Sequence, residues 1–100
     1  MLVDGANSSA TFYLADFIKE NKVATLVGET TGGNKKGING GGIFFLNLPN
    51  SKIEIDIPIY GNYPLTEQPD AGVVPDVLIE KTVEDVVNSK DAALEYIVKR

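Results

Sequence analysis

The sequence predicts a mixed α/β chain, and three observations carry that prediction. An apolar opening, Met1-Leu2-Val3, leads through a polar turn into an amphipathic run from Ser9 to about Asn21, followed by a β-branched run from Val23 to Val27. Two further apolar runs, Ile43 to Leu48 and Ile53 to Ile59, flank Pro49-Asn50-Ser51-Lys52. Two short helical patterns then follow Thr82 and Ser89. A β–α–β unit, a β-hairpin and a helical C-terminus are the parts of an α/β architecture.

Each element has its own justification. Met1-Leu2-Val3 reads as the end of a buried strand. In the first helix, Ala10, Leu14, Phe17 and Ile18 fall at i, i+4, i+7 and i+8 and form the expected core stripe. Phe12 lies off that stripe, on the side of Ser9 and Asp16; it is core of another layer, surface covered by a further segment, or a cleft wall. Asn21 supplies the stop. Val23 to Val27 reads as a second buried strand, and strand–helix–strand predicts a right-handed parallel crossover. The glycine-rich stretch from Gly28 to Gly42 reads as a long loop. It lacks the Gly-Lys-Ser/Thr ending of a phosphate loop, which excludes that mode of nucleotide binding. In the hairpin, Ile53, Ile55, Ile57 and Ile59 alternate with Glu54 and Asp56, giving one buried and one wet face. Pro58 marks an edge strand. Tyr60 to Pro75 is irregular, and Val73 to Ile79 contains an extended segment. Thr82 caps a helix over Val83 to Val87, and Ser89 caps a last helix with Ala92, Ala93, Tyr96 and Ile97 on its apolar stripe.

Composition removes several function classes. The formal net charge is −5 with nine basic residues, so there is no electrostatic footprint for a nucleic-acid partner. Cysteine and histidine are both absent, which excludes disulfides, thiolate or histidine metal sites, and a serine–histidine pair completed within the chain. No cofactor is implied. No apolar run approaches the roughly 20 residues that span a bilayer. Met1 abuts strand-like sequence directly, so the expectation is a fragment whose N-terminal portion lies outside it.

Ser8 or Ser9 is a natural N-cap for the first helix. A serine at a strand-to-helix turn also has its hydroxyl at the positive end of the helix dipole, beside free backbone N–H groups. Those donors suit the oxyanion of a tetrahedral intermediate. Cap and nucleophile are both open on these residues alone.

The run Leu2-Val3-Asp4 … Asn7-Ser8-Ser9-Ala10, then Val23 to Val27 with Gly28-Glu29-Thr30-Thr31-Gly32-Gly33, and later Gly72-Val73-Val74-Pro75-Asp76, resembles the C-terminal processing, or tail-specific, peptidases. Glu29 to Gly33 looks like the tricorn-type branch of that family. The resemblance implies part of the layered α/β spiral of the Clp-protease and crotonase type. It implies that Ser9 is the nucleophile of an acyl-enzyme mechanism on polypeptide substrates, that the Ala10 N–H is an oxyanion donor, and that the parent works in the cell envelope or outside the cell. Family members of one kind use a lysine base about 25 residues past the serine, as a neutral amine. Asn34 stands there and Lys35 is one step beyond; Lys36 would be the cation that depresses it. In the tricorn-type branch a histidine lies far upstream and an acid precedes Gly-x-x-Pro-Asp, where this chain has Glu67 and Asp70, Asp70 being preferred. Phe12 replaces the glutamate that often follows the serine.

These implications make the chain, residues 1–100, the C-terminal half of a peptidase catalytic domain, inactive without its N-terminal half. A non-catalytic ligand- or peptide-binding module of the same fold is the alternative. Loss of a partner layer predicts exposed Phe44, Phe45 and Phe12, and a homodimer or a borrowed strand edge.

Overall fold

The polar turn after the first strand and the glycines after the second allow strands and helix to approach closely, and the fold is built on that approach. The computed structural model describes residues 1–100. In order come β1 (Leu2–Val3), α1 (Ser9–Glu20), β2 (Val27–Gly28), β3 (Ile38–Asn39), β4 (Ile43–Asn47), β5 (Glu54–Pro58), β6 (Gly61–Asn62), β7 (Val77–Leu78), α2 (Val83–Val87) and α3 (Ala92–Val98). The chain is α/β, as expected. β1, β2 and β7 form a parallel sheet in that order, with Val3 opposite Gly28 and Gly28 opposite Leu78. Gly28 has φ +131°, and a Cβ there would lie 2.0 Å from the Val3 carbonyl oxygen. Only glycine fits that approach.

The expected β–α–β unit is present, but its second strand is shorter than the apolar run. Val23 to Thr25 are exposed, and pairing begins at Val27. Val23 instead closes the helix: Lys22 adopts φ 53° and the Val23 N–H donates to Ile18 O, a Schellman ending with lysine in the usual glycine place.

The core is small. Val3, Phe12, Ala15, Leu26 and Val73 form its centre. Phe12 is only 1% exposed, whereas Phe17, on the expected stripe, is 59% exposed and Leu14 is also exposed. The helix is therefore rotated from the orientation its strongest periodicity predicts. Ala15 permits close approach to the sheet, and Phe12 packs where Gly33 has no side chain; a Cβ on Gly33 would lie 2.1 Å from the Phe12 ring. Leu14 and Phe17 form a second apolar face that nothing in the chain covers.

The hairpin β4–β5 pairs as expected, and every residue in both strands is exposed. Phe44 faces Ile57 and Leu46 faces Ile55 across the ladder, so one face is wholly apolar. The face expected to be buried has no layer over it. Phe44 and Phe45 are exposed, whereas Phe12, also expected at the surface, is buried. The outline is a slab of 56 × 38 × 18 Å with a radius of gyration of 17.3 Å, against about 13 Å for a compact chain of this length.

Thr82 caps α2 through a full capping box with Asp85. The cap of α3 is Asp91, whose carboxylate accepts from the Leu94 N–H, rather than Ser89. Ser89, with φ 52°, belongs to the end of α2, where the Lys90 N–H reaches Asp85 O.

Candidate active site

The turn between β1 and α1 is held by its own polar side chains. Asn7 Oδ1 accepts from the Asp4 N–H, and Asp4 Oδ1 accepts from the Ala6 N–H. The Asn7 carbonyl in turn receives the Gly32 N–H at 3.1 Å, tying the turn to the glycine-rich loop. A Cβ on Gly32 would lie 2.0 Å from Gly5 O, so this contact also depends on glycine.

Ser8 occupies the N-cap position, but its side chain makes no capping hydrogen bond, and the first turn carries no acidic residue. The first helical bond is Phe12 N–H to Ser8 O at 3.4 Å. The N–H groups of Ser9, Ala10 and Thr11 therefore stay free at the positive end of the helix.

Ser9 has φ 52°. Four non-glycine residues occupy this region, and three have an ordinary reason. Lys22 and Ser89 end helices, and Lys52 turns the hairpin. Ser9 alone opens a helix in a left-handed conformation, which costs about 1–3 kcal/mol. Its hydroxyl is exposed and makes no hydrogen bond within the chain. Ser9 thus sits on a strained strand-to-helix turn beside unpaired backbone N–H groups.

Thr31 and Asp76 tie the later Gly72–Asp76 segment to the glycine loop, to β2 and to the end of α1. Buried Thr31 accepts the Val73 N–H on its Oγ1 at 2.8 Å, and its own N–H donates to Val73 O. Gly72 must be glycine, because a Cβ there would lie 2.0 Å from Thr31 O. Asp76 accepts the Leu26 N–H at 2.8 Å and pairs with Lys19 near the end of α1. The Lys19 ammonium, then the Leu26 N–H, hold the Asp76 carboxyl below its ordinary pKa. Gly72 to Asp76 thus joins sheet, helix and glycine loop; sequence reading located the motif but not this bracing work.

The acid and base candidates lie elsewhere. Lys35 Nζ is 2.8 Å from Asp16 Oδ1, an ion pair out of line for a directed hydrogen bond, and donates to Glu20 Oε1 at 2.9 Å. Asp16 and then Glu20 raise the Lys35 pKa against the opposing effect of burial. A neutral base requires the reverse. The expected depression by Lys36 does not occur, because Lys36 turns toward Asp70 at 3.9 Å. Asp70 also accepts from Asn34 Nδ2 and is largely exposed. Glu67 is exposed and makes no ion pair. None of these side chains bonds to Ser9.

The Lys35 network floors a cleft of about 390 Å³ beside α1. Tyr13, Asp16 and Glu20 line it from the helix, Asn34 and Lys35 from the glycine loop, and Tyr63 from beyond β6.

The sequence model of peptidase family S41 matches residues 1–79. The chain belongs to peptidase family S41. No curated protein matches it in a direct sequence search. The S41 match runs from β1 through the end of the β7 segment, so it contains the Ser9 turn, the Thr31–Val73 pairing, the cleft and Asp76; α2 and α3 follow it. Membership of S41 makes this the chain of a peptidase, consistent with the hydrolase reading of the motifs.

Proposed function

We propose that this S41 chain is the C-terminal half of the catalytic domain of a serine peptidase of the tricorn-type branch. Ser9 gives its proton to the base and attacks the carbonyl of a polypeptide substrate; the peptide C–N bond breaks, the amine leaves with that proton, and water hydrolyses the acyl ester to a carboxylate and free Ser9. The Ala10 N–H, unpaired at the head of α1, donates to the oxyanion. The observation that carries this reading is the left-handed φ of Ser9 at an uncapped helix start.

The general base belongs to the other half of the parent. Histidine is absent from the chain, and the Asp16–Lys35–Glu20 pairing keeps the lysine protonated. Asp70 is the preferred acid to orient an upstream histidine. The apolar hairpin face and the Leu14–Phe17 face are the surfaces that the N-terminal half covers, in the spiral of layers the family resemblance implies. Alone, the chain is inactive and self-associates through these faces; a single monomeric species in sedimentation across a wide concentration range would overturn that part.

Labelling of the intact parent with a fluorophosphonate, mapped by mass spectrometry, tests the assignment. Label on the Ser9 peptide, lost in Ser9→Ala, is the expected result. A folded parent that takes no label returns Ser9 to a structural role. The charged state of Lys35 would then favour the second reading, a binding module that uses the cleft without chemistry.

A further inference from the structure

The β4–β5 hairpin has two backbone edges, and they are unlike. The Leu48 N–H donates to Ile53 O and the Ile59 N–H to Gly42 O, so the pairs at both ends of the ladder are hydrogen-bonded ones. With Phe44 opposite Ile57 and Leu46 opposite Ile55, alternation makes these bonded pairs as well. The N–H and C=O groups of Ile43, Phe45 and Asn47 therefore point away from β5, and those of Glu54 and Asp56 point away from β4. On the β5 edge Pro58 has no N–H to offer, and Glu54 and Asp56 place two like charges beside it. Proline and charge are what keep an edge from pairing. The β4 edge has neither. Its outward residues are uncharged, Ile43 and Phe45 are apolar and exposed, and no backbone group from outside the hairpin bonds to them. This open edge runs from Gly41, where the register with the opposite strand shifts by one residue, to the turn at Pro49.

We propose that the β4 edge is a dimer contact, on which β4 of a second copy of this chain pairs antiparallel about a two-fold axis through Phe45. Phe45 then lies opposite the partner's Phe45, and Ile43 opposite the partner's Asn47. Each of these pairs exchanges both of its N–H···O bonds. The seam is self-complementary: no charge enters it, and an aromatic pair sits at its centre. The same operation on the β5 edge would set Asp56 against the partner's Asp56. The joined hairpins make a sheet whose two outer edges are both β5, so pairing closes at two copies. The pairing uses the edge and leaves the Phe44–Ile57 face for a covering layer. An edge of five residues is small against the roughly 1,600 Å² of a standard interface, so the dimer is weak and concentration-dependent. The contact is independent of the chemistry of Ser9; fluorophosphonate labelling can succeed or fail with the edge unchanged.

The chain has no cysteine, so a single introduced thiol reports its own neighbourhood. In Phe45→Cys the two thiols meet across a bonded pair with Cα atoms about 5.5 Å apart, inside the range a disulfide spans. Mild oxidation is expected to give a disulfide-linked dimer, whereas Asp56→Cys on the guarded edge and Ile55→Cys on the apolar face stay unlinked. In sedimentation over a concentration series the wild-type chain distributes between monomer and dimer. Phe45→Lys removes the aromatic pair, sets like charges opposite each other and raises the dimer dissociation constant about tenfold. Asp56→Lys leaves it unchanged, and circular dichroism shows both variants folded. Phe45→Pro deletes an outward N–H that the hairpin does not use and causes the same loss of dimer. A monomer at every concentration, a Phe45→Lys chain that dimerises like the wild type, or linkage through Asp56→Cys in place of Phe45→Cys overturns the inference. Linkage through Ile55→Cys alone overturns the edge contact and leaves self-association by the apolar face standing.

Discussion

Phe12→Ala and Phe17→Ala, made separately, measure which side of α1 the core uses. Burying a phenylalanine removes about 150–250 Å² from water, worth about 4–6 kcal/mol at 25 cal/mol per Å² as an upper estimate. Phe12 is 1% exposed and packed against the glycine loop, so truncation leaves a cavity and costs about 3–5 kcal/mol. Phe17 is 59% exposed, and the same arithmetic on its covered portion gives about 1.5–2.5 kcal/mol. With nine residues buried in the whole chain, stability sits at the low end of the usual 5–15 kcal/mol. Phe12→Ala is therefore expected to unfold the chain, and Phe12→Leu, costing about 1–2 kcal/mol, gives the graded value. Urea titration by circular dichroism at low protein concentration reads all three. If Phe17→Ala costs as much as Phe12→Ala, or Phe12→Leu changes nothing, the helix is rotated the other way and the account of the core fails.

Other outcomes follow from the same contacts. Ser9→Gly is expected to be more stable than Ser9→Ala by about 1 kcal/mol, because glycine relieves the left-handed backbone; equal thermal midpoints for the two variants would remove strain from the description of Ser9. Thr31→Val leaves the buried Val73 N–H without its partner and costs about 1–3 kcal/mol, whereas Thr31→Ser keeps the bond; equal losses in denaturant titrations would show that Thr31 acts through volume alone. Gly72→Ala drives a Cβ into Thr31 O and is expected to cost more than about 2 kcal/mol, read by the same titration. Stability also depends on acid through Asp76. Its folded pKa is depressed by Lys19 and the Leu26 N–H, so its contribution is present above the ordinary carboxylate value of about 4 and is lost as pH falls through the lower folded value. In Asp76→Asn that part of the acid dependence should vanish; an unchanged pH–stability curve would refute the assignment. The Lys35 contribution runs oppositely, present below the ordinary lysine value and lost as pH rises through the raised folded one.

Much of the fold was legible in local chemistry. The extent of α1, its stop at Asn21, the β4–β5 hairpin around Pro49 to Lys52, the Thr82 cap and the α/β class all follow from periodicity, turn residues and caps, which act within a few residues of one another. The glycines were legible as a loop but not as contacts. Their roles at Gly28, Gly32, Gly33 and Gly72 depend on backbone and rings brought from distant parts of the chain.

Tertiary structure alone decided the rest. Period 3.6 finds an apolar stripe on α1 but cannot say which of two apolar sides meets the sheet; Phe12 took the core because Gly33 gives it room, and Leu14 and Phe17 remained outside. The alternation in β5 named a face for burial, yet burial needs a second layer, and the chain supplies none. Ser9 was marked by sequence as a residue at a helix start. That its φ is left-handed and its helix uncapped depends on Asp4, Asn7 and Gly32 closing around the turn. Lys35 was an alternative base only through the family resemblance, one residue beyond the spacing it implies. The fold placed Asp16 and Glu20 beside it, and two carboxylates make a lysine hold its proton.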